Sequence, residues 1–402
     1  MAREVWITGI GLTSSLGEGI DAHWHAMAEV DQPQPVIDLV SAAPFAFHPM
    51  VPLDLDQQIP RKADQRQMEF WQRLGTYTAG LALADAGLVG DSEQLSQTHM
   101  VVAAGAGERD AAADEGILTG ISSATNPENF LNERLSSDLR PTLFLAQLPN
   151  LLAGNISIVH KVTGSSRTFL GEEISGVSAV EIVFRRIRAG QGDIFLVGGA
   201  SVAGRKDMML QRAIGGTLWA GEPVSVWARP ERGGGTVLGS LGAFLVIESR
   251  DHAEARGRKP YARIGAVLSQ QTRRRPGAAA AAAQRQFDEI AEVGGGRPPP
   301  VLSGATGMAQ ATAEEQGLLA ALIDQGRVST VRGSANILGS GIEATFPALM
   351  GLGALALSRK GFFRPVDETG FEQPQSEMPE RIVTTTWGIW RGEGMGVVEA
   401  VD

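Results

Sequence analysis

The chain contains no cysteine. That excludes disulfides, thiolate metal sites and a thiol nucleophile of any kind. Histidine is scarce as well: the six stand at positions 23, 25, 48, 99, 160 and 252, and none lies beyond His252. No apolar run approaches the roughly 18 residues needed to span a bilayer, so no membrane insertion is expected. Positive charge is short, with a net charge of −10, and Arg273-Arg274-Arg275 reads as a solvated loop. Non-specific binding to nucleic acid or to an anionic membrane surface is excluded on that balance. No group of His, Asp and Glu has metal-ligand spacing. Gly105-Ala106-Gly107 lacks the third glycine of a dinucleotide loop, and the runs at Gly233 and Gly294 lack a phosphate-binding lysine. No metal and no cofactor is expected.

Glycine, by contrast, is abundant at fifty residues, and 43% of the chain is apolar. That composition suits an α/β protein with many tight strand-to-helix turns. Residues 5–10 form an apolar strand that enters a glycine turn, with no charged-then-apolar leader before it, so the expectation is a cytoplasmic protein. Helical spacing follows over residues 68–88, and residues 100–103 read as a buried strand. A second series begins near residue 259, with a strand over 261–268 and an alanine-rich helix running from residue 278 to Ala291. A long apolar helix over 344–357 and a strand over 382–387 complete it. The reading is two halves of one compact unit, 1–255 and 256–402, with similar strand-helix order.

The richest stretch is residues 168–201, TFLGEEISGVSAVEIVFRRIRAGQGDIFLVGGAS. A short strand runs into Gly171, a helix-period pattern follows (Ile174, Val177, Val180, Ile187), and a buried strand ends at Gly198-Gly199. This strand, turn, helix, strand unit resembles the nucleophile turn of the β-ketoacyl synthases. Residues 148–158, LPNLLAGNISI, resemble that family's Asn-x-x-Ala-Gly-x-Ile-Ser helix. The resemblance implies a duplicated, five-layer α-β-α-β-α thiolase-like fold.

It also implies site positions, and each is altered. Ser175-Gly176-Val177, with Gly198 25 positions after Glu173 (198 − 173), puts Glu173 in the slot of the family's cysteine. Gly304 and Asn336 take the slots of the two catalytic histidines, and Val331 that of a lysine. Thr306 falls in the turn of the first histidine motif, with Glu315 beyond it. Ile389 takes the position of the gating aromatic, and Trp390 and Arg391 replace two glycines. Bulky side chains there are expected to fill space that substrate would need. Arg391 is expected to pair with Glu173, because a lone buried carboxylate costs several kcal/mol. Histidines 23, 25, 48 and 252 read as surface or capping residues, and His160 as a packed structural one.

Condensation by this family needs a nucleophile, two imidazoles to stabilise an enolate, and a backbone oxyanion hole. The chain therefore resembles a condensing enzyme without its reactive groups, similar to chain-length-factor subunits, which carry Gln where this chain has Glu. The implied role is that of a silent partner of an active ketosynthase in fatty acid or polyketide biosynthesis. Its implied partners are acyl carrier protein and a second protomer, as homodimer or heterodimer. Two other readings stand beside it. One is an atypical synthase, malonyl decarboxylase or acyltransferase using Glu173, or a hydroxyl such as Ser175 or Thr306. The other is a scaffold that binds carrier protein or lipid.

Overall fold

The computed structural model describes residues 2–105, 107–139, 145, 147–293 and 296–401. Ala106 and Gly294-Gly295, parts of two glycine runs singled out above, lie outside the described residues. The principal strands are β1 (Val5–Ser14), β2 (His99–Ala103), β3 (Ser166–Phe169), β4 (Ile194–Ser201) and β5 (Leu241–Ser249). After them come β6 (Ala262–Arg273), β7 (Val301–Ser303), β8 (Val331–Gly333), β9 (Arg381–Trp387) and β10 (Arg391–Glu399). The principal helices are α1 (Phe70–Asp85), α2 (Ala111–Ile121), α3 (Leu151–His160) and α4 (Glu173–Arg188). The remainder are α5 (Lys206–Ile214), α6 (Ala278–Val293), α7 (Ala309–Asp324) and α8 (Thr345–Ser358).

These strands lie in the order β8-β7-β9-β10-β6-β1-β5-β4-β2-β3. From the first half, β1 pairs antiparallel with β5 and β5 with β4, whereas β4–β2 and β2–β3 are parallel. The second half repeats the pattern strand for strand: β6–β10 and β10–β9 antiparallel, β9–β7 and β7–β8 parallel. The halves join where β1 meets β6 antiparallel, at Trp6 opposite Arg263 and Ile7 opposite Ala262.

Side-chain alternation along each strand feeds two cores. On β4 and β5, Leu196 and Val246 face α1 and α3, packing with Trp71, Leu74, Leu152 and Ile156. Their neighbours Val197, Leu245 and Ile247 face the other way, into the central layer of α4 and α8. The outer face of the second half is covered by α6 and α7 through Phe287, Ile290, Leu319 and Leu322. The layers are thus α1/α3, sheet, α4/α8, sheet, α6/α7, the duplicated five-layer arrangement.

The central helices are apolar because both their sides are covered. Along α8 every residue from Thr345 to Leu357 is buried. Along α4, Ile174, Val177, Val180, Val183, Phe184 and Ile187 are buried, and three arginines (185, 186, 188) sit in the last turn, where the helix dipole favours cations. Burying each large aliphatic or phenyl side chain of this layer contributes roughly 1.5–3 kcal/mol. The two helices start close together because residue 176 is glycine. A β-carbon there would lie 2.4 Å from the Glu343 carbonyl oxygen, immediately before α8. Among the described residues, no helix is long and apolar enough to cross a membrane.

Candidate functional site

Between β3 and α4 the chain turns through Gly171 (φ 144°) and Glu172 (φ 56°, ψ −135°). A positive φ at a non-glycine residue is held there against its intrinsic cost. Strand pairing on one side and a helix whose first five residues are all buried on the other supply the hold. The Ser175 hydroxyl donates to the Glu172 carbonyl at 2.6 Å, and the Ser175 N–H reaches the same oxygen at 3.0 Å. That hydroxyl closes the first turn of α4 and is occupied.

Two adjacent glutamates leave the turn in different directions. Glu172 reaches the wall of a cavity of about 790 Å³ and pairs with Arg212 of α5 at 3.1 Å. Glu173 is only 2% exposed and is no part of that wall. Its Oε2 accepts a hydrogen bond from the Ile389 N–H at 3.4 Å, and among the described residues its Oε1 has no hydrogen-bond partner. Burial pushes the Glu173 carboxyl above the usual range, and the Glu172 charge adds to this while Arg212 opposes it.

A third carboxyl completes the group. Glu343 precedes α8 and follows Ile342, whose φ of 48° is costly for a β-branched residue. It is 5% exposed and lines the same cavity. Among the described residues, no donor but its own backbone N–H reaches its carboxylate. Burial, reinforced by the Glu173 charge, pushes it up to about 7. Each half of the fold thus sets an acid at the start of its central helix, after a residue with positive φ.

Arg391 and Trp390 depart from expectation. Arg391 is exposed, and among the described residues it makes no ion pair with Glu173. The cation that acts on Glu173 is Arg212. Trp390 is 56% exposed, so it does not fill the site. At the tip between β9 and β10 both side chains turn outward, and only Ile389, 5% exposed, faces in. Arg274 was expected in solvent; instead it pairs with Glu393 and donates to the carbonyls of Gly388 (Nε, 3.1 Å) and Gly392 (3.0 Å). It clamps the loop that carries Ile389 against Glu173.

At the Gly304 position a β-carbon would lie 2.9 Å from Thr386 Oγ1 and 3.0 Å from Thr345 Cγ2, so the surroundings have closed over it. Asn336 is committed to the scaffold: its Oδ1 accepts from the Val226 N–H at 2.7 Å, and its Nδ2 donates to Glu372 at 3.0 Å. Thr306 is buried in a turn and accepts from the Met308 N–H at 3.4 Å. Of these positions, Glu173 and Ile389 are joined by a hydrogen bond. His160 donates from Nε2 to the Thr76 carbonyl oxygen at 2.9 Å, a structural role as expected. His23 and His48 are buried rather than superficial, and burial lowers them to about 4 and about 3.

Sequence reasoning missed Arg212 and Glu343. A glutamate inside the apolar run of residues 342–357 was the available signal, because an unpaired acid at such a place calls for a reason.

Duplicated sheet, paired central helices and the strained turn at the head of α4 define a thiolase-like ketosynthase scaffold. Residues 2–253 match the family model described as Beta-ketoacyl synthase, N-terminal domain, and the chain belongs to the β-ketoacyl synthase family. It is similar to the 3-oxoacyl-[acyl-carrier-protein] synthase 2 of Vibrio cholerae, 25% identical over 269 residues, which is 65% of this chain and 62% of that protein. It is 26% identical over 283 residues to the Oxytetracycline polyketide putative beta-ketoacyl synthase 1 of Streptomyces rimosus, covering 67% of this chain and 63% of that one. The chain thus spans a little over six-tenths of these relatives' length. Among solved structures, the ishigamide ketosynthase/chain length factor matches with a TM-score of 0.78 at 18% identity, over 100% of both chains. A type II polyketide acyl-carrier protein in complex with its ketosynthase matches at 0.75 and 16%, again over 100% of both. At such identity these two likenesses speak for the fold alone.

Proposed function

We propose that this chain performs no condensation and serves as the structural or chain-length-setting partner of a cysteine-bearing ketosynthase in fatty acid or polyketide synthesis. One observation carries the reading. At the head of α4, where an acyl thioester would have to form, stands Glu173, sealed off from the cavity and held by the Ile389 amide, in a chain with no thiol at all. A carboxyl group in that position offers no thiolate to acylate. The enolate of a decarboxylating extender would also find no imidazole, since Gly304 and Asn336 stand in those slots and no histidine follows His252.

Catalysis by Glu173 itself is the weaker reading, because its carboxyl does not reach the cavity wall. Residues 1–255 and 256–402 are taken as the two halves of one unit. The second protomer has a natural seat at β3, the edge of the strand path, where Ser166 and Arg167 are exposed and Leu170 beyond them is 63% exposed. An unpaired edge of this kind is a template for another strand. The acyl carrier protein named with one of the matching structures is the proposed docking partner of the assembly.

The test is co-expression with a cysteine-bearing homologue. Mixed dimers that co-purify and a change in product length when Ile389 is enlarged to Phe are expected. Two proteins that purify apart, with product length indifferent to this chain, would refute the reading.

A further inference from the structure

The 790 Å³ cavity holds chemistry that the partner role does not use. Its three arginines are each matched by an acid: Arg109 with Asp114 at 2.7 Å, Arg205 with Asp207 at 2.7 Å, and Arg212 with Glu172 at 3.1 Å. Among the described residues, Glu343 is left as the one wall acid with neither a cation of its own nor a side-chain donor. It is only 5% exposed, and it aims into the cavity beside Gly105. A β-carbon at Gly105 would lie 2.5 Å from Glu343 Oε1, so glycine there leaves the carboxyl its room. The strained φ of Ile342 fixes the direction of the residue that follows.

A carboxyl group in such a place keeps its proton and becomes a hydrogen-bond donor, as buried acids do when no cation faces them. The charges acting on it most are Glu173, Arg212 and Glu172. Arg109, Arg205 and Asp207 stand further round the wall, and β4 and α8 bring no charged side chain to it. The cavity also shares Arg109, Asp207 and Gln211 with an apolar groove of about 470 Å³ whose sides are Leu118, Leu210 and Ile214. A polar end at Glu343 and an aliphatic end in that groove describe one kind of molecule.

We propose that Glu343 is the specificity-determining residue of a ligand site in this chain, donating its proton in a hydrogen bond to the carbonyl oxygen of a neutral, aliphatic-tailed ligand and rejecting carboxylates. The rejection has a simple cause: a carboxylate buried beside Glu343 would lose its hydration, and the described wall arginines 109, 205 and 212 are already matched by acids. Ligand capture by this chain alone does not depend on the partner role, so either idea can fail while the other stands.

Three probes of equal length separate the chemistries: octanamide (neutral), octanoate (anionic) and octylammonium (cationic), titrated by calorimetry into the full chain at pH 6 and pH 8. With the acid's midpoint near 7, it is mostly protonated at the lower pH and mostly ionised at the higher. Octanamide should therefore bind about tenfold more weakly at pH 8, and octanoate more weakly than octanamide at both. Glu343→Gln keeps a donor without a titration, so it should bind octanamide equally at the two pH values. Glu343→Ala should lose at least about tenfold at pH 6. Should the alanine variant not fold, the glutamine variant and the pH series still decide. Octanamide binding indifferent to pH, octylammonium binding tighter than octanamide at pH 6, a glutamine variant as weak as alanine, or no octanamide binding would each overturn the proposal.

Discussion

A buried carboxyl group with no cation of its own holds its proton, and Glu343 makes that preference measurable. Its midpoint lies at about 7 when folded, against 4.5 for an ordinary glutamate. Between those values the native state binds more protons than the unfolded one, so stability falls as pH rises through this window and levels off above it. A raised midpoint of this size corresponds to about 3 kcal/mol. Glu173 is shifted in the same direction. Denaturant titrations at pH 5 and pH 8 should therefore show the wild type losing stability, with Glu343→Gln losing markedly less. An equal loss in both proteins would mean that Glu343 is ionised or hydrated at pH 5. Glu173 was legible in the sequence because the Ser175-Gly176-Val177 run and the glycines at 198–199 fix its place. Glu343 was not, since its meaning depends on two helix starts, 170 residues apart in sequence (343 − 173), meeting in space. The outward turn of Trp390 and Arg391 was hidden for a related reason. At a hairpin tip, neither period 2 nor period 3.6 says which side chains face in.

The elements that frame the site are fixed by close backbone approach and by one buried cation. Gly176 lets α4 press against the Glu343 carbonyl, so Gly176→Val should force the central helices apart. Overpacking of this kind costs about 1–3 kcal/mol, read as a lower thermal midpoint; an unchanged midpoint would mean the contact is looser than 2.4 Å. Arg274 holds the Gly388–Gly392 loop by its carbonyls and neutralises Glu393, whose carboxylate is fully buried. Arg274→Met strands that acid and should cost about 3–5 kcal/mol. Hydrogen exchange should also quicken in the peptide spanning residues 387–393, where the Gly388 amide bonds to the Gly392 carbonyl at 2.9 Å. Unaltered exchange there would show that the loop holds itself. Arg273-Arg274-Arg275 read as solvent-facing because a short basic run carries no sign of the buried Glu393, which lies 119 positions on. Helix existence was easier to read. The apolar spacing of α4 and the unbroken apolar run of α8 reflect cover on two sides, a condition that leaves its mark on composition.

At the scale of the molecule, two halves with the same strand order share a layer of buried helices, and each sets an acid at the head of its helix. The similar order of elements in the halves was visible in sequence; the junction of β1 with β6 was not, because strand pairing between distant segments leaves no local pattern. The account holds that this scaffold has kept the ketosynthase shape without carbon–carbon bond formation. The most direct measurement supplies the purified chain with an acyl-loaded and a malonyl-loaded carrier protein and weighs the carrier species by mass spectrometry. The account predicts that neither a β-ketoacyl product nor an acylated form of this chain appears, while a cysteine-bearing ketosynthase under the same conditions yields the product. A β-ketoacyl carrier species formed by this chain alone, and lost in Glu173→Gln, would contradict it.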